Sequence, residues 1–159
     1  MGMLDQEMMF SDGQTVTTVG DTPSTNVYDT AGGTTAILNN GQGDNALTGE
    51  NLWLNIRASS AVTSGGAATV QGVFQNSNDN VTWVDVLAGQ AVPVANLTGP
   101  TDLLITHPPA TQFPGTLRYW RTVIRVGGAA LTAGTFDSYV SNTIQRNIPR
   151  ASGFNATGI

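Results

Sequence analysis

The stretch Leu52-Trp53-Leu54-Asn55-Ile56-Arg57-Ala58 sets apolar residues at every second position. Successive side chains of an extended chain point to opposite faces, so Leu52, Leu54, Ile56 and Ala58 line one face while Asn55 and Arg57 mark the other as the wetter one. This is a half-buried strand. Ala68 to Gln75 runs into the turn formers Asn76-Ser77-Asn78-Asp79-Asn80 and on into Val81 to Leu87, which reads as a hairpin. Leu117 to Val126, then Gly127-Gly128 and a short loop to Gly134, then Thr135 to Ser141, predicts a second hairpin. Within its first half Trp120, Thr122, Ile124 and Val126 share a face, and Arg121 and Arg125 share the opposite one.

Shorter strand candidates are Thr15 to Thr18, Thr25 to Tyr28, Thr35 to Asn39, Val92 to Ala95 and Leu103 to Thr106, each bounded by Gly, Pro, Asn or Asp. Long apolar stripes of period 3.6 are missing, while Thr, Val and Gly dominate. The chain is therefore expected to be all-β, a single-domain β-sandwich of jelly-roll type built from eight or more short strands. Its 159 residues suit one domain. The ends break the pattern. Met1, Met3, Leu4, Met8, Met9 and Phe10 follow no alternation, and the polar residues from 143 onward carry spaced Ile144, Ile148, Phe154 and Ile159. An extended N-terminal arm over 1–14, a sandwich over 15–142 and an extended C-terminal arm over 143–159 follow. Free tails shed apolar residues, so these arms are expected to bury Met8, Met9, Phe10 and Phe154 on their own molecule or on a neighbour.

Composition removes whole classes of chemistry. Only 11% of residues are charged against 40% hydrophobic, and there is no Cys, no Lys and a single His, His107. Walker-type phosphate loops, Schiff bases, thiol nucleophiles, disulfides and His-pair metal sites all lack their residues. The net charge of −5, with a sequence pI near 4.4, argues against nucleic acid, because phosphate binding needs a cationic face. No apolar run approaches the roughly 18 residues of a membrane span, and the acidic start lacks the cations of a secretory signal. A soluble protein without membrane, metal or cofactor is expected.

The remaining candidates are weak as catalysts. His107, in Thr106-His107-Pro108-Pro109, has no Gly-x-Ser-x-Gly elbow to serve. Gly41-Gln42-Gly43-Asp44-Asn45-Ala46 has the spacing of a dinucleotide loop without the βαβ unit that gives it meaning. The eleven acids are scattered singly, which leaves a glycosidase pair unsupported. Asp79 with its Asn neighbours lacks the rest of a calcium loop; Ser77 to Trp83 is similar instead to a structural Asp-box turn. Trp53, Trp83 and Trp120 could form a sugar platform, but Trp120 falls on an apolar face, which leaves Trp53 as the exposed candidate.

The order of features has a parallel. The leader from Leu4-Asp5 to Phe10-Ser11-Asp12-Gly13-Gln14-Thr15-Val16-Thr17, then Ser24-Thr25-Asn26-Val27-Tyr28-Asp29, the Leu52 strand, the Ser77-Asn78-Asp79 hairpin, Leu117-Arg118-Tyr119-Trp120-Arg121 and the tail at Gly153-Phe154 together resemble the cement, or decoration, proteins of tailed bacteriophage capsids, those of Bordetella phage among them. Asp21-Thr22-Pro23 and the Gly-rich stretch 32–49 depart from that pattern. The resemblance implies a jelly-roll virion protein on the outer surface of the mature head, made in the host cytoplasm, self-associating as a dimer rather than a trimer. Its implied partner is the major capsid protein, whose subunits it would bridge. On this reading the capsid or dimer contacts are Met8, Met9, Phe10, Trp53, Arg146, Ile148, Arg150 and Phe154, and there is no catalysis. The alternative is a carbohydrate-binding β-sandwich domain of a phage receptor-binding protein, using Trp53.

Overall fold

The alternation at Leu52 to Ala58 is realised as a strand in the computed structural model, which describes residues 9–29, 53–107 and 119–141. In chain order the strands are β1 (Met9–Thr15), β2 (Gly20–Pro23), β3 (Tyr28–Asp29), β4 (Trp53–Ala58), β5 (Thr63–Ser64), β6 (Thr69–Ser77), β7 (Val84–Ala88) and β8 (Val92–Pro93). A 3-10 turn over Val94–Asn96 leads to β9 (Thr101–Thr106), β10 (Tyr119–Gly127), β11 (Leu131–Ala133) and β12 (Thr135–Ser141). One sheet has the order β1-β12-β4-β9 and the other β2-β10-β6-β7, with β3 also on β10 and β8 also on β6; all pairings are antiparallel. Counting β2 with β3 and β7 with β8 gives the orders 1-8-3-6 and 2-7-4-5 for the eight main segments, which is the jelly-roll arrangement. β5 and β11 form a separate two-stranded ribbon.

The core lies between the two sheets. Leu54, Ile56, Ala58, Phe136 and Val140 come from the first, and Val70, Phe74, Trp120, Ile124 and Val126 from the second. Phe74 and Trp120 meet edge to face at 5.1 Å, the geometry the ring quadrupoles favour. The Thr122 and Ser138 hydroxyls share a buried 2.7 Å hydrogen bond between β10 and β12, so two polar groups inside the sandwich satisfy each other.

Three expectations are corrected. β10 and β12 are not a hairpin: they lie in different sheets, because both carry an apolar face and the two faces are buried against each other. The link between them contains Gly128 and Gly134, both at positive φ. The N-terminal arm does not extend to residue 14, since Met9–Thr15 is an edge strand paired with β12 and Phe10 is only 3% exposed. Register shifts on both sides of Ser11 break the period of two, with Gly13 at φ +58°, which is why this strand shows no alternation. The second face of β4 is not wet either: Asn55 is 3% exposed and Arg57 8%, with Asn55 donating to Ser141 Oγ at 3.1 Å and Arg57 Nε without a partner among the described residues.

The boundaries of several other strands move by a few residues. Of Thr25 to Tyr28 only Tyr28 is in a strand, β3, while β2 lies before that stretch; Thr15 to Thr18 holds only the end of β1, and β7 begins at Val84 rather than Val81. The Ala68 to Leu87 hairpin is present as β6 and β7. Thr35 to Asn39 lies outside the described residues.

The backbone comes close to β9 at Gly89, where the chain leaves β7. Its N–H donates to Gly72 O at 2.8 Å, and a Cβ built there would sit 2.3 Å from Leu103 O of β9. Gly89→Ala should therefore cost about 1–3 kcal/mol, the range of overpacking against an unyielding neighbour. Gly65→Ala, at a site with nothing within 4 Å, should leave thermal melting unchanged. Calorimetry of the two variants checks the difference.

Candidate interaction surface

The register of β6 against β10 decides what the outer side of the second sheet presents. Trp120, Thr122, Ile124 and Val126 point inward, so Arg121, Val123 and Arg125 point outward beside Gln75, Val73 and Gln71. Arg125 holds Asp21 of β2 with a two-pronged contact, Nε to Oδ1 at 2.6 Å and Nη2 to Oδ2 at 2.8 Å, and its Nη2 also meets Asp85 Oδ2 of β7 at 2.9 Å. One guanidinium thus ties the outermost strands of this sheet across its two central ones. Val73 and Val123, a cross-strand pair on this same face, are fully buried although they lie outside the main core. Long charged side chains give such cover by laying their stems on apolar surface.

Gln75 joins the two arginines. Its amide donates to Asp85 Oδ1 at 2.6 Å, and its carbonyl accepts from Arg121 Nε at 2.8 Å. The Arg121 guanidinium stacks 4.0 Å from the centroid of the Trp83 ring. The hydrogen bonds to Arg125 hold the Asp21 carboxyl below its ordinary range, and the hydrogen bonds to Asp21 and Asp85 raise Arg125 further. Burial pushes Arg121 the other way.

Trp83 is positioned by the turn before it. Asp79 Oδ1 accepts from the N–H groups of Thr82 at 2.7 Å and Val81 at 2.9 Å and from Ser77 Oγ at 2.8 Å, while Oδ2 accepts from Thr82 Oγ1 at 3.0 Å. Asn80 takes φ +59°, a conformation Asn tolerates in turns. The backbone N–H groups of Thr82 and Val81 hold the Asp79 carboxyl well below the usual carboxylate range. Both of its oxygens are thus committed to the turn, as in the structural box that the sequence resembles.

The individually expected contact residues fall in several places. Trp53 is half-buried on the outer side of the first sheet, and its ring meets that of His107 at 3.8 Å with a 40° tilt. Met9 is half-buried on β1, and Phe10 belongs to this chain's own core, so it is not available as a surface contact. Met8, Arg146, Ile148, Arg150 and Phe154 lie outside the described residues, as do Gly41 to Ala46. Among the described residues no group of three or more His, Asp or Glu side chains is placed to hold a metal. A groove of about 730 Å³ between the β5–β11 ribbon and β8 has Val62, Ala68, Pro93 and Val94 in its walls and no titratable side chain. The network of Asp21, Arg125, Asp85, Gln75, Arg121 and Trp83 is the most organised outward-facing constellation. Its groups are engaged with one another, which makes it an ordered face.

Comparison with known proteins gives one family: residues 10–140 match the model of the family described as Bbp16. No curated protein matches the chain.

The depressed acidity of Asp79 has a definite sign. A carboxyl whose folded pKa lies below its unfolded value of about 3.9 adds stability above that value and loses it as pH falls toward the folded pKa. Asp79→Asn should thus melt below the wild type at pH 6, with a gap that narrows as the pH drops below about 4. Paired melting curves from pH 6 to pH 2.5 measure it.

Proposed function

The chain belongs to the Bbp16 family of Bordetella phage proteins, and from that premise we propose that it is a capsid cement protein without catalytic activity. It would bind the outer surface of the mature head and stabilise it by bridging major capsid protein subunits, associating with itself as a dimer. The observation that carries this reading is the ordered outer side of the second sheet. Arg125, Asp21, Asp85, Gln75 and Arg121 restrain one another and need little ordering when a neighbour packs on them. Each additional capsid subunit touched raises the effective concentration of the next contact, so a rigid sandwich with adhesive arms suits the task. Arg146 and Arg150 are suited to bidentate pairing with carboxylates of the shell, and Met8, Ile148 and Phe154 to apolar seating. An acidic chain also has no electrostatic reason to lie inside against packaged DNA.

The carbohydrate-binding alternative draws less support. The ring of Trp53, which would have to receive a sugar, is already met by His107.

Added to expanded heads that lack it, the chain should bind saturably and raise their disruption temperature. A chain lacking residues 143–159 should bind heads less tightly while its own melting temperature changes little. Sedimentation with heads and calorimetry of heads and free protein test both statements; absence of head binding by the full chain overturns the reading.

A further inference from the structure

We propose that Arg121, seated on Trp83, is the point at which this face recognises a carboxylate of a protein partner, with the exposed Val81 of the turn that carries Trp83 as the apolar part of the contact. The inference rests on the cement reading and deepens it.

The two arginines of the outer face are not equivalent. Arg125 is neutralised twice over, by Asp21 and by Asp85. Arg121 forms no ion pair among the described residues: its Nε donates to the Gln75 carbonyl, its guanidinium plane rests on Trp83, and Asp21, which acts on it through space, is itself bound to Arg125. Among the described residues neither of its terminal nitrogens has an acceptor or an acid within salt-bridge distance. The result is a cation oriented from behind and from one side, with its terminal donors unclaimed by the described residues. A guanidinium fork held in this way matches the two oxygens of a carboxylate, and pre-orientation lowers the entropy lost when they pair.

The flanks point to a macromolecular partner. Val81, two residues before Trp83 in the chain, is 79% exposed, the most exposed large apolar side chain among the described residues. Tryptophan and arginine bordered by apolar surface are the residue types on which protein interfaces concentrate their binding energy. Bare phosphate or acetate would use the fork and leave Val81 wet. A protein surface presenting Asp or Glu beside apolar side chains uses both, and its charge complements a guanidinium that has no ion pair among the described residues.

The test compares wild type, Arg121→Gln, Arg121→Lys and Val81→Asp for binding to expanded heads lacking the protein, with melting temperature and Trp fluorescence recorded for each free chain. Arg121→Gln and Val81→Asp should each weaken head binding at least tenfold. Arg121→Lys, which keeps the charge and loses the planar fork, should weaken it less than Arg121→Gln but measurably. Val81 is on an exposed turn, so its variant keeps the question answerable even if the Arg121 variants fold poorly. If wild type binds heads and folded variants bind equally well, this inference fails and the cement reading stands. If wild type does not bind heads at all, both fail.

Discussion

The nine-residue ladder between β6 and β10 is the constraint on which the rest of the molecule depends. With a side-chain period of two, a slip of one residue would turn Trp120, Ile124 and Val126 out to solvent and bring Arg121 and Arg125 into the core. The ladder is pinned from both sides. Phe74 packs on Trp120 within the sandwich, and Gln75 accepts from Arg121 outside it. The same register that closes the core therefore sets out the cations of the outer face. Because β10 also pairs with β2 and β3, and β6 with β7 and β8, every strand of that sheet is positioned by reference to this pair.

What the sequence reveals and what it hides divide along a physical line. Alternation shows that a segment has one apolar face, and so β4, β6, β10 and β12 are legible nearly to the residue. It does not show which sheet a strand joins. β10 and β12 are separated by a Gly-rich link and each has an apolar face, the signature of a hairpin, yet their apolar faces come from opposite sheets. A bulged strand hides in another way: two register shifts within β1 scatter its apolar residues, and an edge strand of the core looks like a tail. Asn55 and Arg57 illustrate a third limit, since polar side chains on one face of a strand do not guarantee that water reaches it.

The candidate surface was half legible. That Arg121 and Arg125 share a face follows from the sequence alone. Their partners do not, because Asp21 lies 104 residues before Arg125 and comes to it only through the pairing of β2 with β10. Trp83 reads locally as a strand residue, and its role as a seat for Arg121 depends on the Asp79 turn and on β10 arriving beside it. The turn itself carried a usable signal: Ser, Asp, Thr and Trp at box-like spacing place the acid where its oxygens can collect the N–H groups that follow.

The scarcity of charge, which excludes whole classes of chemistry, takes a different meaning beside this arrangement. A surface of Thr, Asn, Ser and Gly loses little rotamer entropy when pressed against a neighbour, whereas Lys and Glu lose much. Where charge is present on the described outer face, it is spent on fixing side chains: Asp21 and Asp85 immobilise Arg125, and Arg125 and Gln75 in turn hold Asp85 in place. A face already ordered pays little more on binding. Charge pairing among exposed groups contributes little to folding stability, so the value of this network is better sought in docking than in folding. Of the two arginines on the described outer face, one is fixed by two acids and the other by an amide carbonyl and a tryptophan ring, so both cations of that face are held in place by different means.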